Sequence, residues 1–289
     1  MINLEAPGVL KQLAYQIKSE IDKHCVDSNN DGPRSHLGAS EIGHNCSRYL
    51  WYKFRWIAHK VHDGRQYRLF QRGHFEEPRF VEYLEGIGFK VQMFDEDRLD
   101  EVDKGKRQIR ISACKGHFGG SIDGIAERED TGRMLTEFKT NGTGKSFNEL
   151  KLEGCQLKKH QHFSQQSIYG YKLGLSHSIY IVVNKNDDDL HVEVVKLDWK
   201  LGAELENKAE MIIFSETPPS KLSQSASYYE CSWCDLLSVC HNNGSVDKNC
   251  RSCKFAFPVD NAEWKCDKWC ANIPKEAIKI GCDEWIPIV

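Results

Sequence analysis

The sequence predicts an α/β protein that ends in a small cysteine-rich module. Short segments with strand character are interspersed with amphipathic helical segments over most of the chain. One pair of strands, at residues 119–140, carries a compact set of charged side chains. Seven of the twelve cysteines fall between Cys231 and Cys270, and Cys282 lies just beyond them.

Length and composition indicate the domain size and the cellular compartment of this protein. A chain of 289 residues, 40% of them hydrophobic, can form one large domain, alone or with a small appendage. The formal net charge of −3 gives no global basic field, but residues 104–107 and 158–160 are local basic stretches that could face a phosphate backbone. No apolar run approaches the roughly 20 residues of a membrane span, and the N-terminus lacks a signal-peptide pattern. We therefore expect a cytoplasmic protein.

Hydrophobic spacing defines the elements in order. In the first helix, which we interpret as a packing helix, Leu10, Leu13, Ile17 and Ile21 recur at helical spacing. The predicted helices span residues 6–25, 46–56, 67–86, 158–173 and 199–214. The predicted strands span residues 89–94, 107–114, 121–128, 134–140, 178–184 and 190–197. Residues 95–105 are predicted to form an acidic loop, and Pro-rich residues 217–220 end this domain.

The central hairpin carries the strongest functional signal. Asp123 lies on its first strand, and Glu137 and Lys139 lie two residues apart on its second strand, so these two side chains share a face. Antiparallel pairing can bring Asp123 beside them. Two close carboxylates suit a hard divalent cation such as Mg²⁺, and Lys139 can orient a water molecule and offset charge on a phosphate. The alternative is an exposed hairpin with alternating charges, which is common in a chain that is 28% charged.

Two helices offer further candidates. Glu76 and Glu77 cannot both face the core, and Glu77 is the better candidate for an acid that supports a metal or its water; the alternative is a solvated helix face. His162, Gln165 and Tyr169 share one face of the later helix, from which they could contact the metal site or nucleic acid. The alternative there is a core-facing tyrosine with polar neighbours.

Arg48 and the segment Gly144-Lys145-Ser146 are two further candidates for contacts with phosphate. Arg48 could reach a phosphate, although a surface salt bridge is the commoner role. Gly144, Lys145 and Ser146 resemble the end of a nucleotide-binding loop, but Lys139 stands where the first glycine of that motif is required. We reject ATP binding and predict that residues 140–150 form a flexible glycine-rich loop over a substrate phosphate.

The first cysteine set has the spacing of a metal site. Cys231, Cys234 and Cys240 follow a C-x2-C-x5-C pattern, and Cys46 is the best candidate for the fourth ligand. Four thiolates from separate parts of a chain suit a [4Fe–4S] cluster, and zinc also fits the spacing, with His241 as another ligand. The cluster would close a domain of residues 1–240.

The second cysteine set lies in residues 241–289, which we interpret as a zinc-ribbon-like module. A segment of this length rarely folds unless a disulfide or a bound metal ion stabilises it. We therefore expect a structural zinc. Four ligands would come from five cysteines, and the spacing alone does not choose between the last two: Cys250, Cys253, Cys266, Cys270 and Cys282. Cys25, Cys114 and Cys155 remain as plain thiols.

Taken together, these motifs resemble the PD-(D/E)XK nuclease superfamily, and its RecB-type branch in particular. Asp123 and the run Glu137-Phe138-Lys139 look like its signature, with Ile122 in place of the name-giving proline. Gln165 to Tyr169 fits the Q-x3-Y helix of this branch, and Gly73 to Glu77 followed by Pro78 is similar to the G-x3-E-P helix of lambda-type viral exonucleases. The first cysteine set resembles the iron–sulfur staple of AddB-type and CRISPR-adaptation exonucleases. Trp264-Lys265-Cys266 and Gly281-Cys282 resemble the W-x-C and Gly-Cys pairs in the cysteine-rich C-terminal segments of phage and prophage relatives. This resemblance favours Cys282 over Cys270 as the fourth ligand beside Cys250, Cys253 and Cys266.

The resemblance implies a restriction-endonuclease-like fold, with a mixed central sheet flanked by helices, and a Mg²⁺- or Mn²⁺-dependent deoxyribonuclease. It assigns Asp123, Glu137, Glu77 and the Phe138 carbonyl to the metal, Lys139 to the water, and Gln165 and Tyr169 to shaping the site. Arg48 and His162 are candidate DNA contacts. The expected substrate is DNA at ends or in single strands, in phage or prophage recombination, repair or CRISPR-like processing within a bacterial or phage-infected cell. A recombination or single-strand-binding protein is the expected partner.

An alternative interpretation of the sequence is a non-catalytic nucleic-acid-binding or assembly module. A third interpretation is a protein whose cysteine-bound metals form a scaffold for partner proteins. The sequence does not determine cleavage polarity, exo- or endonuclease mode, strand preference or oligomeric state.

Overall fold

A computed structural model describes residues 7–29, 32–99, 106–142 and 144–289. In chain order the elements are α1 (Val9–Asp27), β1 (Leu37–Gly38), α2 (Ser47–Phe54), α3 (Gly64–Gly86), β2 (Lys90–Gln92), β3 (Phe94–Leu99), β4 (Lys106–Gln108), β5 (Arg110–Ala113), β6 (Phe118–Ser121), β7 (Gly124–Arg128), β8 (Gly132–Asn141), α4 (Gly144–Lys158), α5 (His160–Leu173), β9 (His177–Asn184), β10 (Leu190–Lys196), α6 (Trp199–Phe214), α7 (Tyr229–Ser232), α8 (Leu237–Asn242), β11 (Ala256–Pro258), β12 (Trp264–Cys266), β13 (Ala271–Asn272) and α9 (Lys275–Ile278).

A five-stranded mixed sheet forms the centre of the protein. Its strand order is β10-β9-β8-β7-β2. The β8–β9 pair is parallel, and the other neighbouring strands are antiparallel. A smaller sheet, with order β1-β6-β5, lies upstream of the hairpin. The predicted mixed sheet in an α/β protein is confirmed.

Helices cover both faces of the central sheet. On one face, Phe80 and Leu84 of α3 pack against Phe138 and Ile181. On the other face, α4, α5 and α6 contribute buried side chains to the larger core, where Tyr180 lies. Residues of β8 alternate between these two cores, so the strand is buried on both faces.

The predicted central hairpin is confirmed, with one interruption. Strands β7 and β8 pair antiparallel from Gly124 opposite Thr136 to Arg128 opposite Gly132. Gly132 has a φ of 70°, a conformation that glycine adopts without strain and that suits the tight turn. The first strand is broken between β6 and β7, and Asp123 lies in this break. The break frees the Asp123 side chain for contacts across the hairpin.

Two sequence predictions for loops were wrong. The glycine-rich segment after β8 becomes helical at Gly144, because Phe147, Leu150 and Cys155 of α4 are buried in the larger core. Residues 94–99 form β3, which pairs with β4, although this segment was predicted as an acidic loop. The remainder of that predicted loop, and residues 104 and 105 of the basic stretch beside it, fall outside the described residues.

The first helix and the C-terminal strands differ in how deeply they are buried. None of the described residues of α1 is buried, and the helix contacts α3 through an ion pair between Asp22 and Arg68. In contrast, the C-terminal strands enter the main core, where Trp264 is 2% exposed and lies beside Phe54 of α2. Within the described residues, no helix has the length and apolar character needed to cross a membrane.

Candidate active site

Asp123 is held at the break in the hairpin by the neighbouring strand. Its Oδ2 accepts a hydrogen bond of 2.7 Å from the backbone N–H of Phe138. Because Gly124 pairs with Thr136, continuing the register by one residue places Asp123 opposite Glu137. The predicted proximity of these two acids is therefore confirmed.

Glu137 and Lys139 point to the same face of β8 and form an ion pair through Oε1 and Nζ. Glu137 is completely buried, whereas the Lys139 side chain is 26% exposed. Among the described residues, Oε2 of Glu137 has no hydrogen-bond partner. A buried carboxylate oxygen without a partner is costly to maintain, and a cation or a bound ligand would satisfy it.

The electrostatics of the cluster reflect burial and mutual repulsion. Burial raises the pKa of Asp123, and it raises the pKa of Glu137 to about 8. Burial alone would lower the pKa of Lys139, but the carboxylates of Glu137 and Asp123 outweigh it and hold this pKa above its usual value. The lysine therefore stays charged, while burial and the repulsion among the carboxylates disfavour ionising all of the acids at once.

Helix α3 adds a third carboxylate. A capping box between Asp63 and Gln66 begins this helix. Glu77 is half-buried, and its pKa is raised by burial and then by the charge of Asp123. Glu76 is buried but forms an ion pair of 3.0 Å with Arg79. Glu77 was predicted to be the inward acid of this pair, but Glu76 is the more buried of the two. Glu77 is the one whose pKa responds to Asp123 of the hairpin, and its role at a metal remains a prediction.

Helix α5 lies over the cluster. The Tyr169 hydroxyl donates a 2.8 Å hydrogen bond to the carbonyl of Ser121, directly upstream of the break. Tyr169 interacts with Gln165, and the nearby carboxylates of Glu137 and Asp123 add to the burial that raises its pKa. These two side chains therefore position the backbone that carries Asp123, and both are buried.

His162 shares the α5 face but has a partner in the core. Its Nδ1 lies 2.7 Å from the Tyr180 hydroxyl. Burial, followed by the charge of Lys139, lowers the pKa of His162 to about 3. The imidazole is therefore neutral near Lys139, and its contact with DNA remains a prediction.

A cleft of about 720 Å³ opens onto this cluster. Glu77, Phe138 and Lys139 line one end of it. The remaining wall combines basic and aromatic side chains, among them Arg34, Lys53 and Phe70, with the acids Glu41 and Glu76. Glu77 and Lys139 are thus accessible from the cleft, whereas Glu137 is buried behind its wall.

Arg48, a candidate DNA contact, does not line the cleft and lies beside the first cysteine set. Its guanidinium donates to the Tyr52 hydroxyl at 2.9 Å and to the Pro219 carbonyl at 2.9 Å. It also lowers the pKa of the Cys240 thiol, against the stronger effect of burial. Arg48 therefore borders the first cysteine set, and its contact with DNA remains a prediction.

The first cysteine set is gathered from both sides of the main domain. Cys46 is the N-cap of α2, where its sulfur accepts from the Tyr49 N–H at 3.4 Å. Burial raises the pKa of Cys234 and of Cys240, and the charge of Cys46 adds to both. Cys231 acts on Cys240 in the same way. These four thiols are therefore close enough to interact electrostatically.

The second cysteine set surrounds a cavity of about 270 Å³. Burial raises the pKa of Cys250 to about 11, with further contributions from Cys282, Cys253 and Cys266. Cys270 is exposed, and its thiol donates to the Asp267 carbonyl at 3.3 Å. The structure therefore groups Cys282, rather than Cys270, with the other three cysteines.

Across the described ranges, no three His, Cys, Asp or Glu side chains converge tightly enough, as placed, to hold a metal ion. The chemistry of the donor sets still fits the expected groups. The hairpin offers hard carboxylate oxygens, one of them buried without a partner, and each cysteine set offers four thiols.

Sequence reasoning missed two supporting residues. His74 Nδ1 lies 3.2 Å from Glu77 Oε1, on the same face of α3. Tyr180, on β9, is the partner of His162. The spacing of three residues between His74 and Glu77 was a usable signal, but the Tyr180 contact depends on strand pairing that the sequence does not show.

No family model matches the chain, and no curated protein matches it. Among solved structures it is similar to the crystal structure of SSO0001, at 14% identity and a TM-score of 0.45, covering 80% of this chain and 98% of that one. It is also similar to an alkaline exonuclease, LHK-Exo from Laribacter hongkongensis, at 15% identity and a TM-score of 0.42, covering 66% and 90%. The LHK-Exo complex with dAMP gives 16% identity and a TM-score of 0.42, covering 62% and 86%. All three TM-scores lie below 0.5, so the evidence for function comes from the site itself.

Proposed function

We propose that this protein is a metal-dependent deoxyribonuclease of the RecB-type PD-(D/E)XK kind, acting as an exonuclease on DNA ends or single strands. One observation carries the proposal: Asp123, Glu137, Glu77 and Lys139 interact at the end of a basic and aromatic cleft. The fully buried Glu137, with an oxygen that lacks a hydrogen-bond partner among the described residues, needs a positive ligand. A phosphodiester substrate and a hard cation together match this set of charges.

The roles of the residues follow from their positions. Asp123, Glu137, Glu77 and the Phe138 carbonyl would hold Mg²⁺ or Mn²⁺, which supplies Lewis-acid neutralisation of phosphate charge when bound. Lys139, charged and partly exposed at the cleft, orients the attacking water and offsets negative charge on the phosphate. Tyr169 and Gln165 fix the backbone at the break, so that Asp123 keeps its alignment.

The decisive test is cleavage of end-labelled DNA in the presence of Mg²⁺ or Mn²⁺. We expect Asp123→Asn and Lys139→Ala each to lower the cleavage rate by at least about 100-fold, because Asp123 would hold the metal and Lys139 offsets negative charge on the phosphate. Asp130→Asn, at the far turn of the same hairpin, is the matched control and should cleave like the unaltered protein. Products released as mononucleotides from an end indicate exonuclease action, and internal fragments indicate endonuclease action.

A non-catalytic nucleic-acid-binding module is the alternative function. The complete set of Asp123, Glu137 and Lys139 favours the enzyme, because a pure binding protein has no need for buried acids beside a lysine. DNA binding without cleavage under any divalent cation would establish the alternative. In either case the pathway we expect is recombination, repair or CRISPR-like processing of phage or host DNA, with a single-strand-binding protein as a partner.

The two cysteine sets are proposed to be structural metal sites. For Cys46, Cys231, Cys234 and Cys240 we favour a [4Fe–4S] cluster over zinc, because Cys46 joins the other three from a distant part of the chain. Anaerobic purification should give a brown protein with thiolate–iron absorbance; a colourless protein containing zinc would assign zinc to this set.

For the C-terminal set we propose a zinc ion held by Cys250, Cys253, Cys266 and Cys282. Cys282→Ser should lose co-purified zinc from this set, whereas Cys270→Ser should retain it. Loss of zinc in Cys270→Ser alone would reverse this assignment of ligands.

A further inference from the structure

The cleft-facing side of α3 forms a continuous stripe that ends at the candidate active site. Tyr67, Phe70, Gly73, His74 and Glu77 all line the cleft. Their spacing of three and four residues places them on one face of the helix. Phe70 and Glu77 are two turns apart, about 10 Å along the helix axis.

We propose that this stripe is a stacking platform for single-stranded DNA, with Phe70 as the residue on which a base stacks. The proposal rests on the proposed function and deepens it, because it names the form of DNA that the site takes. The Phe70 side chain is 51% exposed although it lies in the cleft. An exposed aromatic ring beside a phosphate-processing site is the arrangement that sequence-tolerant single-strand binding uses.

The Phe70 ring is held in place before any ligand arrives. The His62 ring packs edge-on against it at 5.1 Å, and Tyr67 does so at 6.2 Å. His62 in turn contacts Gln66 Oε1 at 3.3 Å, the same oxygen that caps the start of α3. The helix cap, His62, Tyr67 and Phe70 therefore form one connected unit, so a base that stacks on Phe70 would lose little entropy to ordering the ring.

Gly73 leaves space between this platform and the acids. A Cβ atom added at Gly73 would meet no atom of the described residues within 4 Å. Glycine within a helix is destabilising relative to alanine, and no packing contact requires a glycine at this position. The missing side chain instead keeps the groove open between Phe70 and Glu77, where a sugar–phosphate backbone would pass.

The cleft offers two basic side chains for phosphate contacts. Arg34 and Lys53 line it without an acidic partner among the ion pairs of the described chain, and Lys60, which also lines it, is paired with Asp235. Three acids line the cleft as well, namely Glu41, Glu76, which is paired with Arg79, and Glu77 at the candidate metal site. Contacts of lysine and arginine with phosphates make binding salt-dependent. The combination of basic side chains and an exposed aromatic ring fits a single strand better than a duplex, because paired bases do not present their faces.

The test measures binding separately from cleavage. Fluorescein-labelled single-stranded DNA is titrated with the full-length Asp123→Asn protein, which is not expected to cut it, and anisotropy gives the dissociation constant. In this background Phe70→Ala should weaken binding by about 5- to 150-fold, the effect of losing one stacked base. The matched control is Phe75→Ala, a phenylalanine of the same helix that is 69% exposed and lies about 140° around the helix axis from Phe70; its binding should change less than about twofold.

Two more variants separate stacking from general packing. Phe70→Trp should retain binding, and its fluorescence should be quenched by the DNA, whereas Phe70→Leu should bind like Phe70→Ala. Gly73→Leu should weaken binding without lowering the melting temperature, because it fills the groove at a site with room for a side chain.

The outcomes distinguish this inference from the proposed function. If Phe70→Ala binds single-stranded DNA as tightly as the Asp123→Asn parent, or if the parent does not bind it, the platform is overturned. If binding depends on Phe70 but the unaltered protein never cleaves DNA with Mg²⁺ or Mn²⁺, the platform stands and the nuclease proposal fails.

Discussion

At the residue scale, the Glu137 carboxylate dominates the chemistry of the site. It is fully buried, paired on one oxygen with Lys139 and lacking a hydrogen-bond partner among the described residues on the other. Asp123 and Glu77 raise its pKa further, after the effect of burial. A site built in this way is strained electrostatically until a positive ligand arrives, so the stability of the protein should depend on both pH and divalent cations.

The pH dependence can be stated with its sign. In the folded protein without Mg²⁺ or Mn²⁺ the pKa of Glu137 is about 8, against 4.5 for an unperturbed glutamate. Between these values the folded protein holds a proton that the unfolded chain has released, so the free energy of unfolding falls as the pH rises. We expect a fall of roughly 2–4 kcal/mol across this window. Denaturant titrations at several pH values measure it.

Glu137→Gln is the control for this pH dependence. It should flatten the profile, because the amide does not titrate, and adding Mg²⁺ should restore stability at high pH only to the unaltered protein. A profile that is as steep in Glu137→Gln as in the unaltered protein would show that another group is responsible.

Tyr169 tests the role of backbone positioning. Tyr169→Phe removes the hydroxyl that donates to the Ser121 carbonyl and leaves the ring in the core. We expect a loss of about 1 kcal/mol in the free energy of unfolding, typical of one hydrogen bond. Cleavage should slow by about 10-fold or more at saturating DNA, because Asp123 lies two residues after Ser121. An unchanged rate together with reduced stability would assign Tyr169 to the core alone.

At the element scale, the start of α2 combines two functions in Cys46. Its sulfur caps the helix, and its charge acts on Cys234, between α7 and α8, and on Cys240 of α8. Serine is a better N-cap than cysteine, so Cys46→Ser preserves the cap while removing a soft metal ligand. We expect this variant to lose the metal of the first cysteine set and to melt several degrees lower.

The melting temperature and the metal content of Cys46→Ser should therefore fall together. Cys25→Ser is the matched control, because Cys25 lies on the exposed helix α1. A Cys46→Ser protein that melts at or above the temperature of the unaltered protein would leave Cys46 as a capping residue only.

At the scale of the whole molecule, the C-terminal cysteine-rich segment shares the core of the main domain. Arg251 is 1% exposed and lies 4.4 Å from the Phe54 and Trp56 ring centroids and 4.6 Å from that of Trp264. Its guanidinium donates to the Ser35 carbonyl at 3.0 Å. Arg55 reaches the other way, to the Ala256 carbonyl at 2.6 Å. These contacts bind residues beyond 240 to α2.

This shared core makes unfolding cooperative. We expect one calorimetric transition for the whole chain, and Arg251→Ala should lower the free energy of unfolding by about 3 kcal/mol or more, because it opens a cavity among three aromatic rings. Lys279→Ala, on the surface of the same segment, is the control and should change it by less than about 0.5 kcal/mol. Two separate transitions would instead support independent domains at residues 1–240 and 241–289.

The sequence by itself determined the elements with strong periodicity and the hairpin that carries the candidate site. The 16 residues of α6 were predicted with the observed bounds, and the hairpin with Asp123, Glu137 and Lys139 was predicted because strand alternation fixes which side chains share a face. Such local rules need no knowledge of distant contacts.

Only the tertiary structure decided the rest. Helix α4 forms in a glycine-containing segment because its apolar side chains find a core that the local pattern does not reveal. The grouping of Cys282 rather than Cys270 with the other cysteines, and the packing of Arg251 among the α2 rings, join residues that are far apart in sequence. The cleft between α2 and α3, with Phe70 above the acids, exists only once these elements pack together. Long-range packing sets these features, because burial and electrostatics act between neighbours in space whatever their separation along the chain.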